Sequence, residues 1–197
     1  MKQKESKEEI EVVFLDIDKE KIEKKLKSIG AKKTKDIFYR HTAFDYPDYR
    51  LDKDNSWIRV RDNGECVILA FKKRLGVTSQ DGSTNDKGME EVEVVVDSYE
   101  ETRLFFKKIG FIEKHEGEKK RTRWEKDTII FDIDTWPAIP ACLEIEAESW
   151  KDIDKATKLL GLNPDERKIC SAIQIYRLYD IDADDYQKIS FDGMVKK

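Results

Sequence analysis

Residues 119–148, KKRTRWEKDTIIFDIDTWPAIPACLEIEAE, carry the pattern that decides the fold of this chain. Taken as three strands, they place side chains of one charge sign at alternate positions. Side chains alternate between the two faces of a strand, so each strand has a charged side and an apolar side. The charged positions are Lys119, Arg121 and Arg123, then Asp132 and Asp134, then Glu144, Glu146 and Glu148. Rows of one sign indicate a surface that holds ions, although Glu148 lies near a strand end and is assigned to the solvated surface.

The same alternation recurs on strands earlier in the chain. Its charged positions there are Glu9 and Glu11, Arg59 and Arg61, Lys72, and Glu91 and Glu93. An ordinary solvated sheet face is mixed in sign, whereas these faces are not. We therefore predict an α+β fold in which the sheet closes into an antiparallel barrel, with charges inward and apolar faces outward beneath the helices. A closed barrel also leaves no exposed edge strand.

Periodicity, caps and turn signals predict the order of elements. The predicted extended segments are 9–18, 33–45, 57–61, 65–73, 89–97 and 111–124, followed by the second and third strands of the opening stretch. The predicted helices are 19–29, 98–109, 150–160 and 165–178. Loops are predicted at 46–55 and 75–87, the latter a lid or a flexible connection, and residues 179–197 give weak signals. We expect a charged lead-in at 1–8, one barrel domain at 9–180 and a tail at 181–197.

Composition bounds the classes of function. The 197 residues suffice for one sizeable core, and the net charge of −4 gives no global basic field, so we expect no nucleic acid duplex as partner. The widely separated Cys66, Cys142 and Cys170 fit neither a zinc spacing nor a disulfide framework and favour a reducing compartment. The sequence has no membrane-span run and no signal-peptide pattern. We expect a cytoplasmic monomer or homodimer with no membrane partner.

The chemistry of the predicted inner face indicates a polyphosphate site. Arginine forks and lysine point charges suit phosphate oxygens. Carboxylate clusters suit hard divalent cations such as Mg²⁺ or Mn²⁺, which prefer oxygen ligands. Because unpaired buried acids are costly, the acids must pair with the bases or bind a metal.

The ordered set of motifs resembles the CYTH superfamily, also called triphosphate tunnel metalloenzymes. The set is E-x-E, R-x-R, a strand lysine, E-x-E, K-x-R, and an aspartate followed by E-I-E, over roughly residues 9–176. This superfamily includes class IV adenylate cyclases, thiamine triphosphatases and inorganic tripolyphosphatases. The resemblance implies an antiparallel barrel whose tunnel holds a small-molecule triphosphate.

The resemblance also implies roles for individual residues. The implied catalytic residues are Glu9, Glu11 and Glu144. The implied substrate-binding residues are Arg59, Arg61, Lys72, Glu91, Glu93, Lys119, Arg121 and Arg123. The implied ligands of Mg²⁺ or Mn²⁺ are Glu9, Glu11, Asp134, Glu144 and Glu146.

Two departures from the family pattern bear on function. The first strand of the family is usually E-x-E-x-K, and Val13 stands here in place of the lysine; Arg123 or Lys7 could compensate. Ala172 follows Ser171 where the family often has Ser-Tyr. We favour metal-dependent triphosphate hydrolysis, with an adenylate cyclase as the first alternative. A binding module without turnover and a purely structural polar barrel remain further alternatives.

Overall fold

The computed structural model describes residues 10–74, 77–78, 84–85, 89–170 and 172–197. Its strands are β1 (Ile10–Phe14), β2 (Lys32–Asp45), β3 (Ser56–Asp62), β4 (Val67–Arg74), β5 (Val77–Thr78), β6 (Thr84–Asn85), β7 (Met89–Val96), β8 (Ile112–Lys126), β9 (Ile129–Thr135), β10 (Cys142–Ala147), β11 (Tyr186–Ser190) and β12 (Gly193–Lys196). Its α-helices are α1 (Lys19–Ser28), α2 (Arg50–Lys53), α3 (Tyr99–Lys108), α4 (Trp150–Leu159) and α5 (Ala172–Arg177). Within these residues, no helix has the length and apolar character that crossing a membrane requires.

The large sheet has the strand order β1-β10-β9-β8-β2-β3-β4-β7. The pairs β1–β10, β10–β9, β2–β3, β3–β4 and β4–β7 are antiparallel. Strand β11 joins β8 in parallel and pairs with β12, while β5 and β6 form a separate ladder. The α+β class with a large antiparallel sheet is confirmed. Strands β1 and β7 are the two ends of this order, so closure into a barrel stays a prediction.

The chain forms two compact units, and β2 and β8 each contribute residues to both. The first unit combines the described residues up to Asp36 with Arg121–Thr135 and Pro140–Cys170. In this unit, helices α1 and α4 cover one face of β1, β9 and β10. The core residues include Val12, Phe14, Leu26, Phe131, Ile133, Leu143, Ile145, Ile153 and Leu160, each at most 2% exposed. Their burial accounts for the apolar side of the alternating sequence pattern.

The second unit comprises Ile37–Lys120 and Trp136–Ile139, together with the described residues from Ala172 to Lys197. Here helix α3 covers the apolar face of β2, β3 and β4. Phe44 of β2 stacks on Phe106 of α3 with ring centroids 5.0 Å apart, and Val60 and Tyr99 complete the same cluster. The two units thus repeat one plan, in which a helix lies on the apolar side of an alternating sheet.

The helices begin where the sequence predicts caps. Asp18, Ser98 and Ser149 each accept a hydrogen bond in their side chains from the backbone N–H three residues on. These bonds satisfy N–H groups that the first turn of a helix leaves without a partner. The predicted starts of α1, α3 and α4 are therefore confirmed.

Two predictions about local structure require correction, and one region that gave weak signals forms strands. The predicted loop 46–55 contains α2, because the Asp45 carboxylate accepts hydrogen bonds from the N–H groups of Leu51 and Asp52. The predicted helix 165–178 is instead a 3₁₀ turn at Pro164–Glu166, an extended residue at Lys168 and the short α5. Lys168 is not helical because its backbone pairs with that of Val13. The weak 179–197 region forms the hairpin β11–β12.

Some predictions fall outside the described residues. Glu9, Ser171 and most of the loop at 75–87 belong to this group, although β5 and β6 lie within that loop. The division into lead-in, domain and tail stays a prediction.

Two neighbouring leucines at the end of α4 test the assignment of the core. Leu160 is 0% exposed and Leu159 is 42% exposed. We expect Leu160→Ala to lower the free energy of unfolding by about 2–5 kcal/mol, because it opens a cavity between α4 and the sheet. Leu159→Ala is the matched control and should cost less than about 1 kcal/mol. Urea denaturation measures both, and equal losses would contradict this packing.

Candidate active site

The alternating acidic residues of β1, β9 and β10 lie on the sheet face opposite to helices α1 and α4. In the backbone register, Glu144 of β10 lies between Val13 of β1 and Asp132 of β9, and Glu146 lies opposite Glu11. Directly opposite residues of antiparallel strands point to the same face. The structure therefore confirms that these residues share one face, as the alternation predicts.

Arg121 of β8 lies among the carboxylates of that face. Its Nε donates to Asp134 Oδ1 at 2.7 Å and its Nη1 to Asp132 Oδ2 at 2.6 Å. Its Nη2 donates to Asp134 Oδ2 at 2.7 Å and to Glu144 Oε1 at 2.9 Å. Arg123 adds a two-pronged contact to Asp132, with Nε 2.8 Å and Nη2 2.6 Å from its carboxylate oxygens. One guanidinium therefore contacts acids from two neighbouring strands.

Charge compensation explains how these acids stay buried. Asp132 is 1% exposed and Asp134 is 0% exposed, a situation that is costly for carboxylates without partners. Burial lowers the pKa of Arg121, but the hydrogen bond to Asp134 and the charges of Glu144, Asp134 and Asp132 outweigh it and raise that pKa well above its ordinary value. Arg121 is therefore charged at every accessible pH. The family resemblance implies that Arg121 contacts phosphate, whereas in the structure it contacts three carboxylates.

The carboxylates of the acidic face are chemically suited to bind a divalent cation. Glu11 and Glu146 are directly opposite one another, and Glu144 follows on the same face of β10. Carboxylate oxygens are the ligands that Mg²⁺ and Mn²⁺ prefer. Among the described residues, no three acidic, histidine or cysteine side chains converge as a metal-binding group. The predicted ligand Asp134 instead forms two hydrogen bonds with Arg121.

The second unit carries a predominantly basic face. Ala70 of β4 lies opposite Arg59 of β3 on one side and Glu93 of β7 on the other, so Arg59 and Glu93 share a face. Lys72 lies opposite Glu91, and its Nζ is 2.5 Å from the Glu91 carboxylate. A longer contact of 3.8 Å joins Arg61 Nη2 to Glu93.

Aromatic rings accompany these cations, and the sequence analysis did not single them out. Arg61 and Lys119 lie over the ring of Tyr39 at 5.3 and 5.4 Å from its centroid. Lys119 also lies 4.9 Å from the centroid of Trp136. Ring faces attract cations, so these contacts hold the basic side chains in place. Tyr39 and His41 are two residues apart on β2 and therefore share a side of the strand. This spacing is the sequence signal from which the basic face could have been predicted.

The basic face has a surplus of positive charge. Desolvation and the neighbouring Arg61 lower the pKa of Arg59 to about 10, although Glu91 and Glu93 act in the opposite direction. The Nε atoms of Arg59 and Arg61 are shielded from solvent without a hydrogen-bond partner among the described residues. Desolvation and the charge of Arg59 also lower the pKa of His41 well below its usual range, so this histidine is neutral at pH 7. Such a surface favours a bound anion.

Replacing Arg121 tests the balance of charge on the acidic face. We expect Arg121→Met to lower the free energy of unfolding by about 3–5 kcal/mol, because Asp132 and Asp134 lose their buried cation. Arg177→Met, at a half-exposed ion pair on α5, is the control and should cost less than about 1 kcal/mol. Chemical denaturation at pH 7 compares them, and an equally small loss for both would contradict this account.

The sequence and the fold have counterparts among known proteins. The CYTH domain matches residues 7–162. A protein of Methanocaldococcus jannaschii named "Putative adenylate cyclase MJ0240" is 30% identical over 153 residues, which cover 77% of this chain and 83% of the relative.

Two solved structures share the fold. PH1012 from Pyrococcus horikoshii aligns with a TM-score of 0.65 at 23% identity, covering 81% of this chain and 94% of its own. HpAC1 from Hippeastrum aligns with a TM-score of 0.60 at 17% identity, covering 87% and 95%. These identities show the fold alone, whereas the domain match covers most of the sequence. This chain belongs to the CYTH domain family.

Proposed function

We propose that this protein is a divalent-metal-dependent phosphohydrolase that acts on a triphosphate in the tunnel of a closed antiparallel barrel. The observation that carries the proposal is the basic face around Arg59, whose positive charge exceeds what Glu91 and Glu93 neutralise. Family membership supports an enzyme that acts on triphosphates. The finer choice of hydrolysis is part of the proposal.

The basic face suits phosphoryl oxygens. Arg59 and Arg61 present planar guanidinium groups that can contact two oxygens at once, and Lys72 and Lys119 supply point charges. In the structure Lys72 contacts Glu91, and a phosphate that approaches would share this lysine. Polyphosphate carries several negative charges along a short chain, so it suits a face that presents several cations, on β3, β4 and β8.

The acidic face would hold the cation. We assign Glu11, Glu144 and Glu146 as its ligands, together with Glu9, which lies outside the described residues. The three described side chains do not converge in the structure, so a bound cation would have to draw them together. A bound Mg²⁺ or Mn²⁺ would offset the negative charge that develops on the phosphoryl oxygens.

Within this proposal, the chain itself positions the attacking water. The Glu144 carboxylate accepts a hydrogen bond from the water, while Arg121 fixes Glu144 by its contact of 2.9 Å. The water oxygen bonds to the terminal phosphorus, the bond from that phosphorus to the bridging oxygen breaks, and Glu144 takes the water proton. The basic residues hold the phosphate chain during this step and stabilise the charge on the leaving diphosphate group.

The names of two similar proteins favour different chemistry. HpAC1 is described as having a dominant triphosphatase activity, which supports hydrolysis here. The Methanocaldococcus jannaschii relative carries an adenylate cyclase name, which supports the alternative that a ribose 3′-hydroxyl attacks the α-phosphorus and pyrophosphate leaves. A further alternative is a binding module without turnover, because Val13 stands where the family usually has a lysine.

Product analysis separates these functions. Purified protein with Mg²⁺ or Mn²⁺ should release phosphate from tripolyphosphate, ATP or thiamine triphosphate. Glu144→Gln should lower kcat by about 100-fold or more, because the water loses its proton acceptor. Cyclic AMP with pyrophosphate would establish the cyclase alternative. A rise in melting temperature with tripolyphosphate, without any product, would establish the binding module.

We expect Arg59 to stabilise the complex with a triphosphate, and to lower the free energy of unfolding of the protein without it. The pKa of Arg59 falls to about 10 on folding and stays above 7, so Arg59 is charged in both the folded and the unfolded state at pH 7, and the folded protein carries the whole cost of burying this charge. We expect Arg59→Met to raise the free energy of unfolding of the ligand-free protein by about 1–3 kcal/mol. The same change should remove the stabilisation by tripolyphosphate.

Arg40→Met is the matched control for this experiment. Arg40 lies at the next position along β2 from Tyr39, and its Nε contacts Asp62 at 3.0 Å. Thermal denaturation with and without tripolyphosphate should leave the ligand effect of this variant unchanged. An Arg59→Met protein that tripolyphosphate still stabilises to the full extent would contradict the assignment of this face.

A further inference from the structure

Val13 lies on the acidic face, at the position where the family pattern has a lysine. Its direct partner across the β1–β10 ladder is Glu144, which the proposed function places at the reaction. Val13 is 2% exposed, so its side chain is covered rather than directed into solvent. The acidic face therefore has an apolar side chain beside Glu144, where the family pattern has a cation.

The other edge of β1 pairs with Lys168. Val13 N–H donates to the Lys168 carbonyl at 2.8 Å, and Lys168 N–H donates to the Val13 carbonyl at 3.0 Å. The two residues form an antiparallel bridge. In such a pair the two Cβ atoms point to the same face, roughly 5 Å apart. Lys168 therefore projects on the face that carries Val13, Glu144 and Glu11.

The neighbouring Arg167 supports this orientation. Its Nη1 contacts Asp154 of α4 at 2.6 Å, and α4 packs on the opposite, apolar face of the sheet. Arg167 has an extended backbone, in which successive side chains point in opposite directions. Because Arg167 points towards α4, Lys168 must point towards the acidic face.

Electrostatic interactions of Cys170 agree with this placement. Burial raises the pKa of the Cys170 thiol, the charge of Lys168 lowers it and the charge of Glu11 raises it. The ammonium group of Lys168 and the carboxylate of Glu11 therefore both act on one thiol. The Lys168 side chain is exposed, so its four-carbon stem can carry the ammonium group to a ligand.

We infer that Lys168 binds a phosphate oxygen of the triphosphate and supplies, from the segment between the 3₁₀ turn and α5, the cation that Val13 does not provide. The inference rests on the proposed function and adds a substrate-binding residue to it. In this inference, Lys168, which two backbone hydrogen bonds join to the edge of β1, takes the place of a lysine on β1 itself. The backbone bridge to Val13, which forms where a helix was predicted, brings Lys168 to the acidic face.

Exchange of the two positions tests the inference. We expect Lys168→Met to weaken tripolyphosphate binding by about 10- to 100-fold, because one charge-assisted contact is lost. Lys168→Arg should keep most of the affinity. Adding Val13→Lys to Lys168→Met should restore most of what was lost, since the cation returns to the same face. Isothermal titration calorimetry with tripolyphosphate, with and without Mg²⁺, measures all variants, and KM for any turnover should follow the same order.

Lys158→Met is the control, because Lys158 is an exposed lysine of α4 in the same unit. If Lys168→Met binds tripolyphosphate as tightly as Lys158→Met does, the inference is overturned. It is overturned as well if the double variant binds no better than Lys168→Met. Loss of binding in Arg59→Met with unchanged binding in Lys168→Met would leave the proposed function standing and remove only this inference. If the unaltered protein binds no triphosphate, both fall.

Discussion

The buried contact of Arg121 with Asp132, Asp134 and Glu144 is the interaction on which the acidic face depends. Carboxylates on adjacent strands repel one another, and two of these acids are almost fully buried. A guanidinium group can donate in several directions within one plane, so a single residue of β8 compensates acids on both β9 and β10. A lysine in its place would supply the charge without this geometry. The face can therefore be both acidic and stably folded before any metal binds.

The two units treat their charges in opposite ways. The acidic unit compensates its carboxylates internally, because Arg121 and Arg123 supply cations within hydrogen-bond distance. The basic unit leaves Arg59 with a lowered pKa and an Nε atom shielded without a partner among the described residues. Within the part of the chain that the structure describes, the fold thus carries an electrostatic cost at Arg59. Such a cost is typical of a surface whose remaining partner is a ligand.

The edge of β1 shows how a fold can bring a cation beside a position where the sequence pattern lacks one. A strand edge offers backbone groups that any extended segment can pair with. The segment after the 3₁₀ turn uses this edge, and its pairing at Val13 interrupts what otherwise has the composition of a helix. Local propensity there favours a helix over 165–178, and the two backbone hydrogen bonds to β1 override it.

The sequence by itself determined which residues share the charged faces, because a strand alternates its side chains whatever its neighbours are. It also determined the starts of α1, α3 and α4, since caps act within a single turn, and the ordered motifs pointed to the CYTH family. Only the tertiary structure decided which charges meet: Arg121 contacts acids, and Lys168 lies beside Val13. Such pairings join residues far apart in the chain, and their register depends on backbone hydrogen bonds between strands. The hairpin β11–β12 is marked in the sequence by the turn signal Asp192-Gly193. No local pattern encodes the pairing of Val13 with Lys168, so the cation beside Val13 could be found only in the tertiary structure.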